Sequence, residues 1–294
     1  MMVIDRRRSR QLKNKRIRFK KKLLTFTISI GIIAISNFFI NHIYSNQQLS
    51  KEVTASTITV NHKLLEEKTI QEQIDYHRSI EVELARREEI RKNTPSKGYI
   101  AITYDDGPNM TITPKILEIL AKNNAKATFF VLGQNAENFP KMIAQIHEAG
   151  HEIGNHGYNH ARFTKLTEAQ LNEQIDKTNH TIFEITTESP TWVRPPYGEY
   201  KNINHLINYP LLLWSIDSND WRDIPIDTIV NNIINGLEDG SIILLHDFHE
   251  KAIEITKILL PKLNEIGYKP VTVSELFNKH EIELEGGKVY QKTK

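Results

Sequence analysis

The stretch Gly98–Pro108 reads GYIAITYDDGP and sets the fold. Its first half is apolar and β-prone, which predicts a buried strand, and two adjacent carboxylates, Asp105 and Asp106, follow where that strand ends. The Gly-Pro pair after them turns the chain. Two carboxylates this close raise each other's pKa unless a cation lies between them or one of them holds a proton. A plain turn has the same composition, so the rest of the chain must decide between a turn and a functional site.

Short apolar runs recur along the chain and alternate with amphipathic segments. The runs cover 99–104, 127–132, 151–155, 191–195, 211–217, 241–246 and 269–273. Between them, Thr113-Pro114 predicts an N-cap followed by proline at the first helical position, and Thr167 with Gln170 predicts a capping box. This alternation predicts an α/β fold over 98–278, a distorted or incomplete (β/α) barrel of parallel strands. A doubly wound open sheet is the rival.

The N-terminal part of the chain differs in composition from the rest. Residues 1–22 hold eleven Lys and Arg and one acidic residue, which leaves 27 basic and 35 acidic residues elsewhere, a net charge of −8. Residues 23–43 contain no charged side chain and are long enough to cross a bilayer. The basic tail is expected to stay in the cytoplasm, so the chain after about residue 43 is expected outside the cell. We therefore expect an uncleaved anchor at 23–43 in the cell membrane, with a cleaved signal peptide as the alternative.

Two ranges flank the predicted barrel. Residues 44–97 are rich in charge and lack Gly and Pro between 63 and 92, which predicts an extracellular helical stalk. A coiled coil that binds a partner is the alternative for this range. Residues 279–294 are charged and contain Gly, so we expect a peripheral C-terminal tail.

Composition excludes several classes of protein. The chain has no cysteine, which excludes disulfides and Cys-ligated zinc. Nucleic-acid binding is not expected, because the excess of basic residues is confined to one short tail. The sequence leaves the oligomeric state open, and a monomer is the simplest expectation.

Polar residues follow five of the predicted strands. They are Asp105 and Asp106, His156 and His160, Arg194 and Tyr197, Asp217 to Trp221, and His246 and Asp247. In β/α barrels the C-terminal ends of the strands carry the active site. Five such groups on one rim therefore indicate a functional site far more strongly than any one of them.

A metal site is the first chemistry that these residues suggest. His156 and His160 are four residues apart, a spacing that puts both imidazoles on one side of a helical turn. Neutral His commonly binds metals, and one added carboxylate completes a site with open positions for water and substrate. One of Asp105 and Asp106 can bind the metal while the other accepts a proton from water, but spacing does not distinguish them. We expect a divalent ion, zinc first, with cobalt or another divalent ion as alternatives.

The remaining groups have candidate roles and structural alternatives. Arg194 can hold the base, and a backbone N–H near Tyr197 can stabilise an oxyanion; a Pro-rich connection is the structural alternative. A carboxylate in 217–221 can orient His246 and keep it protonated for a leaving group, whereas a buried core histidine needs no such role. Trp221 can offer a flat wall to a sugar, or can simply be packed.

The set of motifs resembles the polysaccharide deacetylases of the NodB-homology class, carbohydrate esterase family 4. The resemblance covers about residues 98–278. The matching residues are Thr103-Tyr104-Asp105-Asp106-Gly107, then His156 and His160, then Arg194, Pro196 and Tyr197, then Asp217, Asp220 and Trp221, and finally Leu244 and His246. Two positions depart from the family pattern, since Tyr104 stands where Phe is commoner and Gly157 replaces the usual Ser or Thr.

The resemblance implies a distorted barrel and a role for each residue. The implied roles are Asp105 as base, Asp106, His156 and His160 as metal ligands, His246 as acid tuned by Asp220, Arg194 orienting the base, Tyr197 at the oxyanion, and Trp221, Tyr197 and Leu244 toward the substrate. The implied reaction is hydrolysis of N-acetyl groups on a polymeric amino sugar, with peptidoglycan N-acetylglucosamine outside the cell as the preferred substrate.

Alternatives stay open at this level. Chitooligosaccharide, an exopolysaccharide or a peptide-like amide could be the substrate. A non-catalytic wall-binding protein of the same fold is a second alternative, which the presence of both a candidate base and a candidate acid disfavours. A structural or signalling ectodomain is the third.

Overall fold

The computed structural model describes residues 55–293, so the predicted basic tail (1–22) and transmembrane segment (23–43) lie outside the described residues. Within 55–293, no helix combines the length and the apolar character needed to cross a bilayer. A 39-residue helix, α1 (Ala55–Asn93), lies within 44–97, the range for which the sequence predicts a helical stalk. The chain forms two units, one ending at Glu83 and one beginning at Leu84.

The second unit is built on parallel strands. They are β1 (Gly98–Asp105), β2 (Thr128–Val131), β3 (Glu152–Asn155), β4 (Leu211–Leu212), β5 (Ile216–Asp217), β6 (Ile242–His246), β7 (Tyr268–Val271) and β8 (Val289–Tyr290). The order in the main sheet is β3-β2-β1-β6-β5, with β7 paired to the first half of β1, and β4 pairs with β8. Every pair is parallel, which confirms the predicted parallel α/β class.

Single-residue bridges continue the sheet beyond β3. Asn155 bridges Val193, and Val193 in turn bridges Leu211 of β4. Parallel neighbours therefore follow one another from β5 through β1 and β3 to β8, which gives a barrel-like arrangement. The predicted strand at 191–195 is reduced to this bridge at Val193.

The predicted run at 211–217 divides into β4 and β5. The backbone N–H of Leu213 donates to the Tyr290 carbonyl in β8, whereas the N–H of Ser215 donates to the Ile242 carbonyl in β6. The chain changes its pairing partner between these two residues, so one apolar run becomes two short strands.

Residues after 279 belong to the fold, which differs from the peripheral tail expected there. Tyr290 in β8 is only 7% exposed, and its ring lies 5.6 Å from that of Trp192 and 5.2 Å from that of Phe277. Edge-on aromatic pairs of this kind stabilise a core beyond the area they bury. One aromatic side chain thus anchors an otherwise charged segment.

Helices cover the outside of the sheet. They are α2 (Thr113–Lys122), α3 (Gly133–Asn138), α4 (Pro140–Glu148), α5 (Glu168–Thr186), α6 (Ile226–Gly236), α7 (Glu250–Ile266) and α8 (Val273–Lys279). Ile116 and Leu120, four residues apart in α2, are fully buried, as are Ile255 and Leu259 in α7. Burying each such side chain contributes about 1.5–3 kcal/mol, so the apolar face of each helix holds it against the strands.

The two predicted helix starts have different outcomes. The capping box of Thr167 and Gln170 is confirmed, with both reciprocal hydrogen bonds present. The predicted N-cap at Thr113 is wrong, because the cap position is Ile112 and Thr113 is already helical. The Thr113 hydroxyl instead donates to the buried carboxylate of Asp247, a long-range contact that local sequence signals do not contain.

Candidate active site

The ends of three strands bring the predicted site residues together. Asp105 is the last residue of β1 and His246 is the last of β6, and the two are direct partners in the parallel register. His156 follows β3 immediately. Because all three strands run in the same direction, their carboxyl ends lie at one rim, as the sequence predicts.

Asp106, His156 and His160 form a cluster with metal-ligand geometry. Oδ1 of Asp106 lies 3.4 Å from Nε2 of His156 and 3.3 Å from Nε2 of His160. One ligand atom from each of the three residues lies within 4.8 Å of the others. That spacing leaves room for one ion bound to all three.

A loop, rather than a helical turn, pairs the two histidines. Residues 156–160 contain no helix, and the backbone is left-handed at Gly157 (φ 76°) and at His160 (φ 61°). The helical-turn prediction for this pair is therefore wrong, although the two rings do meet, 5.2 Å apart. The glycine that replaces Ser or Thr in the family pattern occupies one of these left-handed positions, which suits a residue without a Cβ.

The orientation of His156 is set by a backbone carbonyl. Nδ1 of His156 lies 2.7 Å from the carbonyl oxygen of Arg194. A carbonyl oxygen only accepts hydrogen bonds, so Nδ1 carries a proton, and Nε2, which faces Asp106, is the nitrogen that a metal can reach. Metal-binding histidines are commonly held in this way.

Asp105 differs from the adjacent Asp106 in that it binds a buried arginine. Arg194 is fully buried and donates from its Nη1 to Oδ1 of Asp105 at 2.6 Å. The same guanidinium also donates to the carbonyls of Leu212 and Leu213 and to the hydroxyl of Thr103. Since these contacts fix the guanidinium, they fix Asp105 as well.

The electrostatics of the cluster favour a cation. Burial alone would raise the pKa of Asp106, but the neighbouring His156 and His160 hold that pKa below its ordinary value. Burial would lower the pKa of His156, but Asp105 and Asp106 raise it, and burial together with the positive His156 lowers the pKa of His160. Asp106 is therefore ionised and His160 neutral at pH 7, the forms that bind metals. Oδ1 of Asp106 is buried and has no hydrogen-bond partner among residues 55–293, so the donor set fits a divalent ion.

His246 is held in its charged form by Asp220. Oδ1 of Asp220 lies 2.7 Å from Nδ1 of His246, and Oδ2 accepts from the backbone N–H of the same histidine at 2.9 Å. Burial would lower the pKa of His246, but the fully enclosed carboxylate of Asp220 raises it to about 9. His246 is consequently protonated at neutral pH and has a proton to donate.

Two of the predicted substrate residues are exposed aromatics. Tyr197 is half exposed, with its ring edge-on to that of His160 at 4.5 Å and the Arg162 guanidinium over its face at 3.9 Å. Trp221, next to Asp220, is 53% exposed. Leu244, the fifth motif's apolar residue, is buried in β6.

Sequence reasoning missed several residues that support the site. Asn135 donates from its side chain to the carbonyl of Asp106 at 2.8 Å. Phe248 is partly exposed, and its ring lies 5.6 Å from the ring of His246. Asp247 stands at the end of a predicted strand, but the sequence assigns it no role. The adjacency of Asp247 and Phe248 to His246 was a usable signal, whereas nothing near Asn135 in the sequence indicated its contact.

Comparison with known proteins agrees with this site. A sequence model described as polysaccharide deacetylase matches residues 92–207. A peptidoglycan-N-acetylglucosamine deacetylase of Bacillus cereus is 38% identical over 191 residues, which cover 62% of this chain and 69% of that protein. The chain belongs to the polysaccharide deacetylase family, carbohydrate esterase family 4.

One further relative and one solved structure show how much of this chain resembles known proteins. The peptidoglycan-N-acetylglucosamine deacetylase PgdA of Listeria monocytogenes is 37% identical over 192 residues, which cover 65% of this chain and 41% of PgdA, so the chain spans about two fifths of that relative. The structure of a family 4 acetyl xylan esterase from Clostridium thermocellum, in complex with a cobalt ion, has a TM-score of 0.63 and 31% identity, and the match covers 66% of this chain and 98% of that one.

Proposed function

We propose that the chain is a metal-dependent hydrolase that removes N-acetyl groups from a cell-wall amino-sugar polymer, with peptidoglycan N-acetylglucosamine as its substrate. One observation carries the proposal. A metal-ligand cluster of Asp106, His156 and His160 lies beside an arginine-bound carboxylate, Asp105, at a rim that also holds a protonated imidazole, His246. A ligand set flanked by a proton acceptor and a proton donor is what amide hydrolysis requires.

Asp105 is the proton acceptor in this proposal. Its Oδ2 lies 3.6 Å from Nε2 of His156, so the carboxylate borders the ligand cluster, while Oδ1 is occupied by Arg194. A carboxylate fixed at one oxygen and free at the other can take a proton from a water that attacks the acetamide carbonyl. A divalent ion held by Asp106, His156 and His160 would supply Lewis-acid activation of that water and of the carbonyl.

His246 is the proton donor. The departing amine needs a proton as the C–N bond breaks, and His246 carries one because Asp220 raises its pKa to about 9. The products are acetate and a free amino sugar, and no co-reactant other than water is needed. Tyr197, with its left-handed backbone, is proposed to offer its N–H to the oxyanion.

The substrate side of the proposal rests on the exposed aromatics and on the relatives. Tyr197 is exposed beside His160, and Trp221 is exposed next to Asp220 in the sequence. A flat ring suits the face of a sugar. Leu244 is proposed to contact the acetyl methyl group. The Bacillus cereus and Listeria monocytogenes relatives are named for peptidoglycan N-acetylglucosamine, which supports this polymer over chitooligosaccharide or an exopolysaccharide.

We also propose that residues 23–43 anchor the protein in the cell membrane with the hydrolase outside, facing the wall. The uncharged run preceded by eleven basic residues supports this orientation. Protease added to intact cells should then digest residues 98–294. In untreated cells, the whole protein should be recovered in the membrane fraction. Recovery of the protein in the soluble fraction would contradict the anchor.

Acetate release tests the hydrolase directly. Full-length protein in detergent is incubated with purified cell wall, with chitooligosaccharide and with acetylated xylan, each with and without a chelator. We expect acetate and free amine from the wall, loss of both with chelator, and recovery on adding zinc or cobalt. Acetate release from chitooligosaccharide alone would show that chitooligosaccharide, and not peptidoglycan, is the substrate. Acetate release that a chelator does not reduce would contradict the proposed metal dependence. Wall binding without acetate release from any polymer would support the non-catalytic alternative.

A further inference from the structure

Asp247 is a buried carboxylate to which the proposed chemistry gives no role. It follows His246 directly and is fully buried. Its Oδ2 accepts a hydrogen bond from the Thr113 hydroxyl, while its Oδ1 is buried without a hydrogen-bond partner among the described residues. Burial raises the pKa of Asp247 to about 7, so keeping an acid here is costly. A cost of this kind calls for an explanation.

The Asp247 carboxylate lies directly against Gly107, the residue after the metal ligand Asp106. A Cβ at Gly107 would stand 2.2 Å from Oδ1 and 2.3 Å from Oδ2 of Asp247. Gly107 does not have the positive φ that usually demands glycine. Its lack of a side chain is therefore required by this contact and not by its backbone conformation.

Asp247 contacts the turn at more than one point. Its backbone N–H donates to the carbonyl of Asp105 at 3.2 Å. Through Thr113, whose hydroxyl also accepts from the N–H of Asn109 at 2.8 Å, it reaches the far end of the loop. Asp247 therefore contacts residues at both ends of the loop from Asp105 to Thr113.

The turn needs such support because Asp106 has a left-handed backbone, with φ 74°. A non-glycine residue in this region costs of order 1–3 kcal/mol and persists only where its surroundings over-determine it. Asn135 holds the Asp106 carbonyl from one side. On the other side of the turn, the neighbouring group is the Asp247 carboxylate beneath Gly107.

We propose that Asp247 is a positioning residue that fixes the Asp106–Pro108 turn and thereby sets the affinity of the Asp106–His156–His160 site for its metal. The inference rests on the metal site of the proposed function but not on the identity of the polymer. It is therefore tested by metal binding and not by acetate release.

The first experiment compares Asp247→Ala and Asp247→Asn in the full chain. The affinity for zinc and for cobalt is measured by competition with a chelator, together with the cobalt absorption spectrum. We expect Asp247→Ala to weaken binding by about tenfold or more and to change the spectrum. Asp247→Asn has the same shape and keeps an acceptor for Thr113, so it should stay within about threefold of the original protein.

Glu152→Ala is the matched control, since it removes a hydrogen-bonded carboxylate at the opposite end of the strands. It should lower thermal stability and leave metal affinity unchanged. If Asp247→Ala likewise lowers only the Tm of the metal-free protein, with the affinity, the spectrum and the metal-induced rise in Tm all unchanged, Asp247 is merely structural and the inference is overturned.

Gly107→Ala is a second variant, useful if Asp247→Ala does not fold. The added methyl group would collide with the Asp247 carboxylate, so we expect weaker metal binding. In the double variant with Asp247→Ala the methyl group has room, and the two effects should not add. Unchanged metal binding by Gly107→Ala, or fully additive effects, would overturn the inference. A protein that binds metal but releases no acetate would refute the proposed function alone, whereas one that binds no metal would refute both.

Discussion

The two ends of the parallel sheet each hold a histidine shielded from solvent, and the two histidines have opposite charge states. His246, at the end of β6, has its pKa raised to about 9 by Asp220. His151, just before β3, has its pKa lowered to about 4, chiefly by burial. Its Nδ1 accepts a hydrogen bond from the Ala127 N–H, so the ring stays neutral. Burial is shared by the two residues, and the partner decides the charge.

The carboxylates at the two ends differ in the same way. Glu152 accepts from the hydroxyl of Thr128 at 2.8 Å and from both the backbone N–H and the hydroxyl of Ser274. Asp106 has a buried oxygen with no hydrogen bond and two imidazole nitrogens near it. A satisfied carboxylate stabilises the fold, whereas an unsatisfied one with convergent ligands indicates a site.

A cavity lies at the end of the strands opposite the metal-ligand cluster. A cavity of about 460 Å³ is lined by His151, Glu152 and Ser274, among others, and by none of the residues of the metal cluster. The proposed chemistry therefore rests on the convergence of unsatisfied polar atoms and not on this cavity. The following variants test the contrast between the two ends.

The largest contrast is expected between Asp105→Asn and Glu152→Gln. Asp105→Asn removes the proton acceptor, so kcat should fall by about 10²–10⁴-fold while metal binding is retained. Glu152→Gln should keep kcat within about twofold and lower the free energy of unfolding by about 1–3 kcal/mol. Acetate release and urea unfolding measure the two effects, and equal turnover by Asp105→Asn would remove Asp105 from the mechanism.

The next effect is on the pH profile. Asp220→Asn removes the charge that keeps His246 protonated, so the pKa of His246 should fall from about 9 to 6.5 or below. The alkaline limb of kcat/KM should shift by the same amount, which lowers activity at pH 8 by about tenfold or more. Asp223→Asn, an exposed acid three residues further on, is the control. An unchanged alkaline limb in Asp220→Asn would show that this limb does not report His246.

The two histidines should also stabilise the fold in different pH windows. The folded pKa of His246 is raised, so its contribution is complete below pH 6.5 and is lost as pH rises through about 9. The folded pKa of His151 is lowered, so its contribution is complete above pH 6.5 and is lost as pH falls toward about 4. Across each window the free energy of unfolding should change by about 2–4 kcal/mol in total.

Urea unfolding of the metal-free protein between pH 4 and 9 measures these slopes. His246→Gln should flatten the curve between 6.5 and 9 only, and His151→Leu between 4 and 6.5 only. Flattening in the same window by both variants would contradict the assignment of opposite charge states.

The smallest effect concerns the exposed rings. Trp221→Ala should raise KM for the polymer by about three- to tenfold with little change in kcat, because a ring contact contributes about 0.5–1.5 kcal/mol. Phe183→Ala, an exposed aromatic on α5, is the matched control and should leave KM unchanged. A fall in kcat alone for Trp221→Ala would place Trp221 in the chemistry and not in substrate binding.

The positions of most strands along the chain could be predicted, because they depend on local patterns. Apolar runs ended in polar residues at the right places, and the Thr167 capping box needed only four consecutive residues. Two features could not be predicted in the same way. The predicted strand at 191–195 is reduced to a bridge at Val193 between distant segments, and the C-terminal segment is held through Tyr290 by Trp192 and Phe277. Their structure depends on partners that lie far away in the sequence.

The sequence by itself determined which residues stand at the strand ends, and so which chemistry is available at the rim. Only the tertiary structure gave the two adjacent acids, Asp105 and Asp106, different partners. Arg194, 89 residues away, binds Asp105, and the left-handed turn directs Asp106 toward the two histidines. Residue types follow from the local chain, but the charge and geometry of a buried group depend on what packs against it, and that is decided by contacts between segments distant in sequence.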